Sequence, residues 1–290
     1  MKLSQTETPP EDCCEDSNHR LHKYLRQETL PTTFCVGCGC GTVLGAFAQA
    51  VDELSLPPEE IVMVTGIGCS SWIPSPYFKA DTLHTTHGRA LAFATGVKVM
   101  LPRMKVIVIA GDGDIAGIGG NHLIHAARRN IDLTVFMVNN WNYGMTGGQM
   151  SPTTPQGALT TTSPYHNVEP PLKAAELVAA AGANYVSRWT TYHVFPLAEA
   201  MQYAISKKGF SFVEIIAQCP VSYGKMVNMR SGSDFLNLYR DTSIRIEQAR
   251  ELSEEELVDK IVVGKLVERD AEEYVTKLYQ VNSEQSAHKE

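Results

Sequence analysis

A glycine-rich acidic turn between a predicted strand and a predicted helix is the first feature that could bind a ligand. The apolar run 105–110 leads directly into Gly111–Asp114, Gly-Asp-Gly-Asp. Glycine lets the backbone approach a ligand closely, and the free N–H groups at a helix start bind phosphate. Asp112 would repel a bare diphosphate. We therefore expect a divalent cation between them, because Mg²⁺ accepts carboxylate, amide, backbone and phosphate oxygens together.

A second oxygen donor, Asn140, lies 28 residues after Asp112, just beyond the next predicted strand. Neighbouring parallel strands end at one edge of the sheet, where ligands bind. Asp112 and Asn140 can therefore meet on one ion, with the main-chain carbonyl of Asn142 as a third ligand. A lone Gly-Asp-Gly is as often an ordinary turn, but the asparagines at this spacing favour a site for Mg²⁺ and a diphosphate.

Four cysteines could form a second centre. Cys35 and Cys38 are a C-x₂-C pair, whereas Cys69 and Cys219 each follow a predicted strand. Four thiolates can hold zinc or a 4Fe–4S cluster. The spacing alone does not separate these two alternatives, although a structural zinc is the commoner choice.

The remaining three cysteines are interpreted as thiols without a ligand. Cys40 competes with Cys38 for one position, but C-x₂-C is the more natural bridge, and we expect Cys40 to be a small packed residue. Cys13 and Cys14 lie in a predicted N-terminal tail. Seven is an odd number, and a cytoplasmic location keeps thiols reduced, so we expect no disulfide framework.

A stretch of histidines, His84 to Arg89, precedes the predicted helix 88–101. In one interpretation Thr86 caps that helix and the histidines are core residues. In the other, His84, His87 and Arg89 contact substrate or diphosphate, where a cation could bind a substrate carboxylate or stabilise developing charge. The residue types leave both interpretations open.

Alternating helix and strand patterns must position these residues. Short apolar runs alternating with amphipathic stretches predict βαβ units, hence an α/β fold with a mostly parallel sheet flanked by helices. The predicted helices are 42–54, 88–101, 117–129, 172–182 and 194–207. The predicted strands are 61–65, 105–110, 132–138, 184–188 and 211–217. Segment 140–171 has neither period, and a loop of this length is usually functional.

Three regions follow from composition. Residues 1–28 read as a tail, 29–224 as the ligand-binding domain and 225–290 as a helical extension that packs on the domain or on a partner, with charged helices over 244–281. The net charge of −7 arises at the two ends: residues 245–290 carry 12 acidic and 7 basic side chains, while 29–244 is neutral. With no basic patch, we expect no nucleic-acid partner.

Membrane association is not expected either. No apolar run reaches the roughly 18–20 residues that span a bilayer. The first twenty residues lack the apolar core of a secretory signal. We therefore expect a cytoplasmic protein.

The segment GDGD…GGNH…NNWNYGMTGGQMSPTTP resembles the thiamine diphosphate motif. In detail it is most similar to the β subunits of 2-oxoacid:ferredoxin oxidoreductases, and within these to the two-subunit 2-oxoglutarate enzymes. The segments HTTHGRA, SPYHNVEPP and RWTTYH resemble the same family. The similarity extends over about residues 20–240.

This resemblance implies the thiamine diphosphate-binding fold and a set of cofactors and ligands. Oxidation by a one-electron acceptor needs a nearby redox centre and zinc has no redox chemistry, so the resemblance favours a 4Fe–4S cluster on Cys35, Cys38, Cys69 and Cys219. It implies Mg²⁺ on Asp112, Asn140 and Asn142. The implied cofactor contacts are Gly111, Asp112, Gly113, Asp114, Asn140, Asn142, Tyr143, Gly144 and Thr146. The implied catalytic residues are His84, His87 and Arg89.

The implied activity is reversible oxidative decarboxylation of 2-oxoglutarate with coenzyme A to succinyl-CoA and CO₂, with electrons passing through the cluster to ferredoxin. The family's activating carboxylic acid lies on an α subunit, so we expect a chain that is active only with that subunit, as (αβ)₂. Three alternatives remain: the same family acting on pyruvate or another 2-oxoacid, a non-oxidative thiamine diphosphate decarboxylase with structural zinc, and a non-enzymatic iron–sulfur scaffold.

Overall fold

Ten strands and eight α-helices form the molecule in a computed structural model, which describes residues 19–287. The strands are β1 (Ile61–Thr65), β2 (Asp81–His84), β3 (Lys105–Gly111), β4 (Thr134–Asn139), β5 (Asn142–Tyr143), β6 (Gln149–Met150), β7 (Tyr185–Thr190), β8 (Ser211–Ile216), β9 (Ser243–Arg245) and β10 (Ile261–Glu268). The helices are α1 (Gly39–Glu53), α2 (Ala90–Met100), α3 (Gly120–Arg128), α4 (Ala174–Ala181), α5 (Val194–Ser206), α6 (Gly232–Thr242), α7 (Ile246–Ala249) and α8 (Tyr274–Ala287).

Eight of the strands form one sheet in the order β2-β1-β3-β4-β8-β7-β10-β9, and β5 and β6 form a separate hairpin. Every pairing in the large sheet is parallel except β7 with β10. The central strands β4 and β8 are buried along their whole length, as expected where helices cover both faces. The predicted α/β fold with a mostly parallel sheet is confirmed.

The two faces of the sheet carry separate apolar cores, because successive strand side chains point to opposite sides. Ile107 and Ile109 of β3 pack with α1 and α5 on one face. Val106 and Val108 pack with α2, α3 and α4 on the other. None of the helices within residues 19–287 combines the length and the apolar character that crossing a bilayer requires.

The N-terminal segment differs from the predicted tail in its described part. A short 3-10 helix spans Arg20–Tyr24, and Tyr24 is buried, with its ring stacked 6.2 Å from that of Phe78. The Arg26 guanidinium donates to the main-chain oxygen of Ala80 at 2.8 Å. Residues from 20 onward therefore pack on the domain. Cys13 and Cys14 lie outside the described residues.

The C-terminal region is not the purely helical extension that we expected over 225–290. Helices α6 and α8 are present, but β10 joins the main sheet antiparallel to β7, and β9 pairs with β10. The strand sequence IVVGKLVE is rich in β-branched residues, which favour a strand, and only a few charged residues interrupt it. The acidic composition around it concealed this signal. The short, mostly exposed edge strand β2 was also not predicted.

The carboxyl ends of β1, β3, β4 and β8 open at one edge of the sheet. They lead into the glycine–cysteine loop 66–69, the acidic turn 111–114, the asparagine loop 139–142 and the segment 217–219. Every predicted ligand outside the C-x₂-C loop and the histidine stretch comes from one of these four connections or follows it directly. The fold thus gathers sequence-distant segments along about 14 Å of sheet edge, given three spacings of roughly 4.8 Å between the four strands.

Candidate functional site

A cleft at this edge contains all nine residues that the sequence predicts as cofactor contacts. They are accompanied by His87, Cys69 and four residues that were not predicted. The lining residues are Ile67, Gly68, Cys69, Ser70, His87, Gly111, Asp112, Gly113, Asp114, Asn140, Asn142, Tyr143, Gly144, Met145 and Thr146.

The Asp112 carboxylate is almost completely buried, at 1% exposure. Its Oδ2 accepts hydrogen bonds from the hydroxyls of Ser151 and Thr153, each at 2.6 Å. Burial raises the pKa of Asp112, while these two donors act in the opposite direction. A buried carboxylate needs a compensating positive charge or several donors, and only one of its two oxygens receives both hydroxyls.

The other oxygen, Asp112 Oδ1, belongs to a group of converging acceptors. One end of the Asn140 side-chain amide lies 3.1 Å from Asp112 Oδ1 and 2.7 Å from the main-chain oxygen of Asn142. If that end is the amide oxygen, it faces two other oxygens with no hydrogen between it and either of them. Either the amide NH₂ turns inward or a cation lies among them. Carboxylate, amide and main-chain oxygens fit Mg²⁺ by chemistry and by placement.

The acidic turn depends on close packing between Gly113 and Tyr143. A Cβ atom at Gly113 would lie 2.2 Å from the Tyr143 ring, and one at Gly117 would lie 2.6 Å from the Tyr143 hydroxyl oxygen. That hydroxyl donates to the main-chain oxygen of Gly113 at 3.3 Å, and burial raises the pKa of Tyr143. The ring therefore holds the turn in place beside the cleft, and the turn cannot carry side chains at these positions.

Asp114 lies at the cleft, but its carboxylate is directed toward the histidine stretch. Its Oδ1 accepts from the main-chain N–H of Gly88 and lies 2.7 Å from Nδ1 of His87. Gly66 leaves room for it, since a Cβ there would lie 1.8 Å from Asp114 Oδ2. Asp114 thus connects β3 to the loop before α2, a contact that the turn motif did not indicate.

The histidine stretch is divided by the structure. His87 lines the cleft, and its ring meets Tyr143 edge-on at 5.9 Å. His84 is exposed at the end of β2. Arg89 is exposed and donates to the main-chain oxygen of Ile118 at 3.2 Å. Neither His84 nor Arg89 lines the cleft.

The interpretation in which Thr86 caps the helix and the histidines are core residues is wrong. The residue that caps α2 is Arg89, and it makes no side-chain capping bond, so Thr86 is not the cap. The core interpretation also fails, because His84 is exposed and His87 is only partly buried. The turn between β2 and α2 places the His87 ring edge-on against the Tyr143 ring.

The cysteines lie beside the cleft. Cys69 lines it directly, and a Cβ at Gly144 would lie 3.4 Å from Sγ of Cys219. The C-x₂-C loop reaches the same place because the N–H of Gly39 donates to the main-chain oxygen of Gln218 at 2.9 Å. A Cβ at Gly39 would lie 2.8 Å from that of Ala217. The four predicted cluster cysteines are therefore brought to one end of the cleft.

Electrostatics show that the thiols influence one another. Burial, reinforced by the charges of Cys38, Cys219 and Cys35, raises the pKa of Cys69 to about 11. Burial and the charges of Cys38 and Cys219 also raise the pKa of Cys35. A hydrogen bond with the Cys40 thiol lowers the pKa of Cys38 to about 7. The sulfurs are therefore close enough to interact electrostatically, and four cysteines grouped in this way could hold a 4Fe–4S cluster, in which each cysteine binds a different iron atom.

Exposure distinguishes the five cysteines of the described region. Cys40 is buried at 2% exposure, as a packed thiol should be. Cys35 is exposed, and Cys38, Cys69 and Cys219 are intermediate. Within residues 19–287, no three His, Cys, Asp or Glu side chains lie close enough to share a single metal ion.

Sequence reasoning missed the hydroxyl donors to Asp112. Ser151 and Thr153 lie in the long loop, 39 and 41 residues from the carboxylate they contact. Their only signal is a concentration of hydroxyl residues in SPTTP directly after the glycines of the loop. Four further lining residues were also missed, because they shape the cleft without carrying a recognisable ligand group. They are Ile67, Gly68, Ser70 and Met145.

A mostly parallel sheet with an acidic turn, a buried carboxylate and two asparagines at its carboxyl edge is typical of a thiamine diphosphate-binding domain. Residues 66–215 match the family of thiamine pyrophosphate enzymes, C-terminal TPP binding domain.

The closer relatives define a narrower group. The chain is 49% identical over 263 residues to the 2-oxoglutarate synthase subunit KorB of Methanocaldococcus jannaschii, covering 91% of this chain and 97% of the relative. It is 47% identical over 264 residues to the subunit of the same name from Methanothermobacter marburgensis, covering 91% and 92%. The chain belongs to the KorB family of 2-oxoglutarate synthase subunits.

A solved structure shares the same fold. This is a 2-oxoglutarate:ferredoxin oxidoreductase from Magnetococcus marinus with 2-oxoglutarate, coenzyme A and succinyl-CoA bound. It superposes with a TM-score of 0.81 at 31% identity, over 94% of this chain and 93% of that chain. The predicted family is confirmed at the level of both sequence and fold.

Proposed function

We propose that the chain is the β subunit of a 2-oxoglutarate:ferredoxin oxidoreductase. The reaction is the reversible oxidative decarboxylation of 2-oxoglutarate with coenzyme A to succinyl-CoA and CO₂, with two electrons passing to ferredoxin. The observation that carries the proposal is the position of Cys69, which belongs both to the cofactor cleft and to the group of four thiols. The names of the relatives support the choice of 2-oxoglutarate.

The cleft residues bind and orient the cofactor. Asp112 and Asn140, with the main-chain oxygen of Asn142, would hold Mg²⁺ on the diphosphate, and the backbone of the Gly113 turn would contact the phosphate oxygens. Tyr143, Gly144 and Thr146 also line the cleft. When bound, thiamine diphosphate supplies the nucleophile and the electron sink of the reaction. Of the three predicted catalytic residues, only His87 lines the cleft, and we propose that it contacts the reactants.

The thiols provide a route for electrons from the cleft to the surface. Cys69 lies at the cleft and Cys35 is exposed. A 4Fe–4S cluster held by these two residues with Cys38 and Cys219 would accept one electron at a time and release it to ferredoxin. The exposed side of the C-x₂-C loop is the natural approach for that carrier.

The chain requires a partner for turnover. Activation of the cofactor needs a carboxylic acid close to its aminopyrimidine, and no glutamate lines the cleft within the described residues. We propose that the α subunit supplies this group and closes the cleft, in an (αβ)₂ assembly located in the cytoplasm. Residues 29–224 would form the cofactor domain, and the region after it completes the sheet of that domain with β10 and β9.

Formation of acyl-CoA tests this function. The chain is purified anaerobically with its α subunit and supplied with coenzyme A, ferredoxin and a panel of 2-oxoacids. We expect succinyl-CoA from 2-oxoglutarate, and no product from either subunit alone. Product from pyruvate alone would contradict the substrate assignment, and turnover by the single chain would contradict the need for a partner.

A further inference from the structure

The two oxygens of the Asp112 carboxylate have different surroundings. Oδ1 faces the Asn140 side-chain amide, which also contacts the main-chain oxygen of Asn142. Oδ2 accepts from Ser151 and Thr153 at 2.6 Å each. The 2.6 Å distances are those of charge-assisted hydrogen bonds, which are shorter and stronger than neutral ones. Two hydroxyl donors on the same oxygen therefore fix the rotation of the carboxylate and favour its charged form.

Thr153 contacts a second acceptor as well. Its Oγ1 also lies 2.9 Å from Oδ1 of Asn139. A hydroxyl has one proton, so the two acceptors share it in a three-centre hydrogen bond, in which the shorter contact with Asp112 is the stronger. Asn139 is itself held in place, because its side-chain nitrogen donates to Glu214 at 2.8 Å.

Glu214, which holds the Asn139 side chain, belongs in turn to a buried ion pair. Glu214 accepts from Nε of Arg188 at 2.8 Å. Asn139, Thr153 and Glu214 are each 3% exposed. Bulk water therefore does not compete with these contacts, and the position of the Thr153 hydroxyl is determined by β4, β7 and β8.

We propose that Ser151 and Thr153 are positioning residues that turn Asp112 so that Oδ1 binds Mg²⁺ while Oδ2 accepts hydrogen bonds from the two hydroxyls. The inference rests on the proposed Mg²⁺–thiamine diphosphate site and adds residues to it that neither the turn motif nor the asparagine pair identifies. Groups that orient a metal ligand usually affect metal affinity by about 10- to 100-fold. Loss of one hydroxyl should therefore weaken Mg²⁺ binding without removing any ligand.

Thr153→Val tests the proposal, because it replaces the hydroxyl by a methyl group of similar size. The matched control is Thr134→Val. Thr134 is also buried, but its hydroxyl donates to the main-chain oxygen of Ala204 at the opposite end of β4. The purified αβ complex is depleted of cofactor, Mg²⁺ is titrated at a fixed excess of thiamine diphosphate, and bound thiamine diphosphate is measured by equilibrium dialysis.

We expect Thr153→Val to raise the Mg²⁺ concentration at half-saturation by about 10- to 100-fold, and Thr134→Val to leave it unchanged. Thr153→Ser, which retains the hydroxyl, should restore wild-type affinity, and Ser151→Ala should weaken binding like Thr153→Val. Equal affinities in Thr153→Val and Thr134→Val, or failure of Thr153→Ser to restore binding, would overturn the inference alone. A wild-type complex that binds no thiamine diphosphate with Mg²⁺ would overturn the proposed function as well.

Discussion

At the scale of single residues, the cleft is built by small side chains as much as by charged ones. Asp112 and Asn140 were identifiable from the sequence because a carboxylate in a glycine turn, followed by an amide at the next strand end, is typical of a metal–diphosphate site. Ser151 and Thr153 were not, because a hydroxyl in a loop has no period and its partner is 39 or 41 residues away. His84 and Arg89 were predicted, with His87, to contact substrate or diphosphate, but neither of them lines the cleft.

Gly113→Ala should abolish cofactor binding. The new Cβ would lie 2.2 Å from the Tyr143 ring, a distance that forces the ring or the turn to move. Gly120→Ala, where no atom lies within 4 Å of the added Cβ, is the matched control. Isothermal titration with thiamine diphosphate and Mg²⁺ should detect binding only in the control. Equal binding by the two variants would show that the turn tolerates displacement.

At the scale of elements, the four strand ends make the site and the C-x₂-C loop completes it. Strand 61–65 is found as predicted, and β3, β4, β7, β8 and the helices between them lie within a few residues of their predicted bounds, since buried apolar runs mark parallel strands strongly. Strands that are short or only partly buried, such as β2 and β10, have too weak a hydrophobic pattern to be recognised in the sequence. The docking of the loop could not be predicted, because it depends on contacts between Gly39 and residues about 180 positions away.

Gly39→Ala should prevent the cluster from assembling. Its Cβ would lie 2.8 Å from the Ala217 Cβ and 2.9 Å from the main-chain nitrogen of Gln218, so the loop would be displaced from Cys219. Gly41→Ala in the same helix meets no atom within 4 Å and is the control. We expect low iron content and weak visible absorption in the first variant only. A full complement of iron in Gly39→Ala would disprove the importance of this close approach.

At the scale of the whole molecule, residues 29–244 have no net charge, but they contain buried charged side chains that connect the sheet to its helices. Arg188 of β7 pairs with Glu214 of β8 at 2.8 Å and with Glu176 of α4 at 2.6 Å. It also lies 3.4 Å from the main-chain oxygen of Val262 in β10. Arg188 therefore connects β10 to the sheet and also pairs with Glu214. The acidic C-terminal region is thus part of the folded domain as well as a solvated surface.

Arg188→Met should destabilise the fold by about 3–5 kcal/mol, because it leaves the buried Glu214 without its counter-charge. The free energy of unfolding is measured by urea denaturation. Arg240→Met, which breaks an exposed pair with Asp241, is the control and should leave the midpoint unchanged. If both variants unfold at the wild-type urea concentration, the ion pairs of Arg188 do not hold the layers together.

The central claim is that the cofactor cleft and the four thiols act as one redox unit on 2-oxoglutarate. The most direct measurement mixes the anaerobic αβ complex, loaded with Mg²⁺ and thiamine diphosphate, with 2-oxoglutarate and records the electron paramagnetic resonance spectrum of the cluster. We predict a reduced 4Fe–4S signal that requires 2-oxoglutarate and is absent in Asp112→Ala, whose iron content is unchanged. A complex that holds both cofactors but gives no reduced cluster with 2-oxoglutarate would contradict the account.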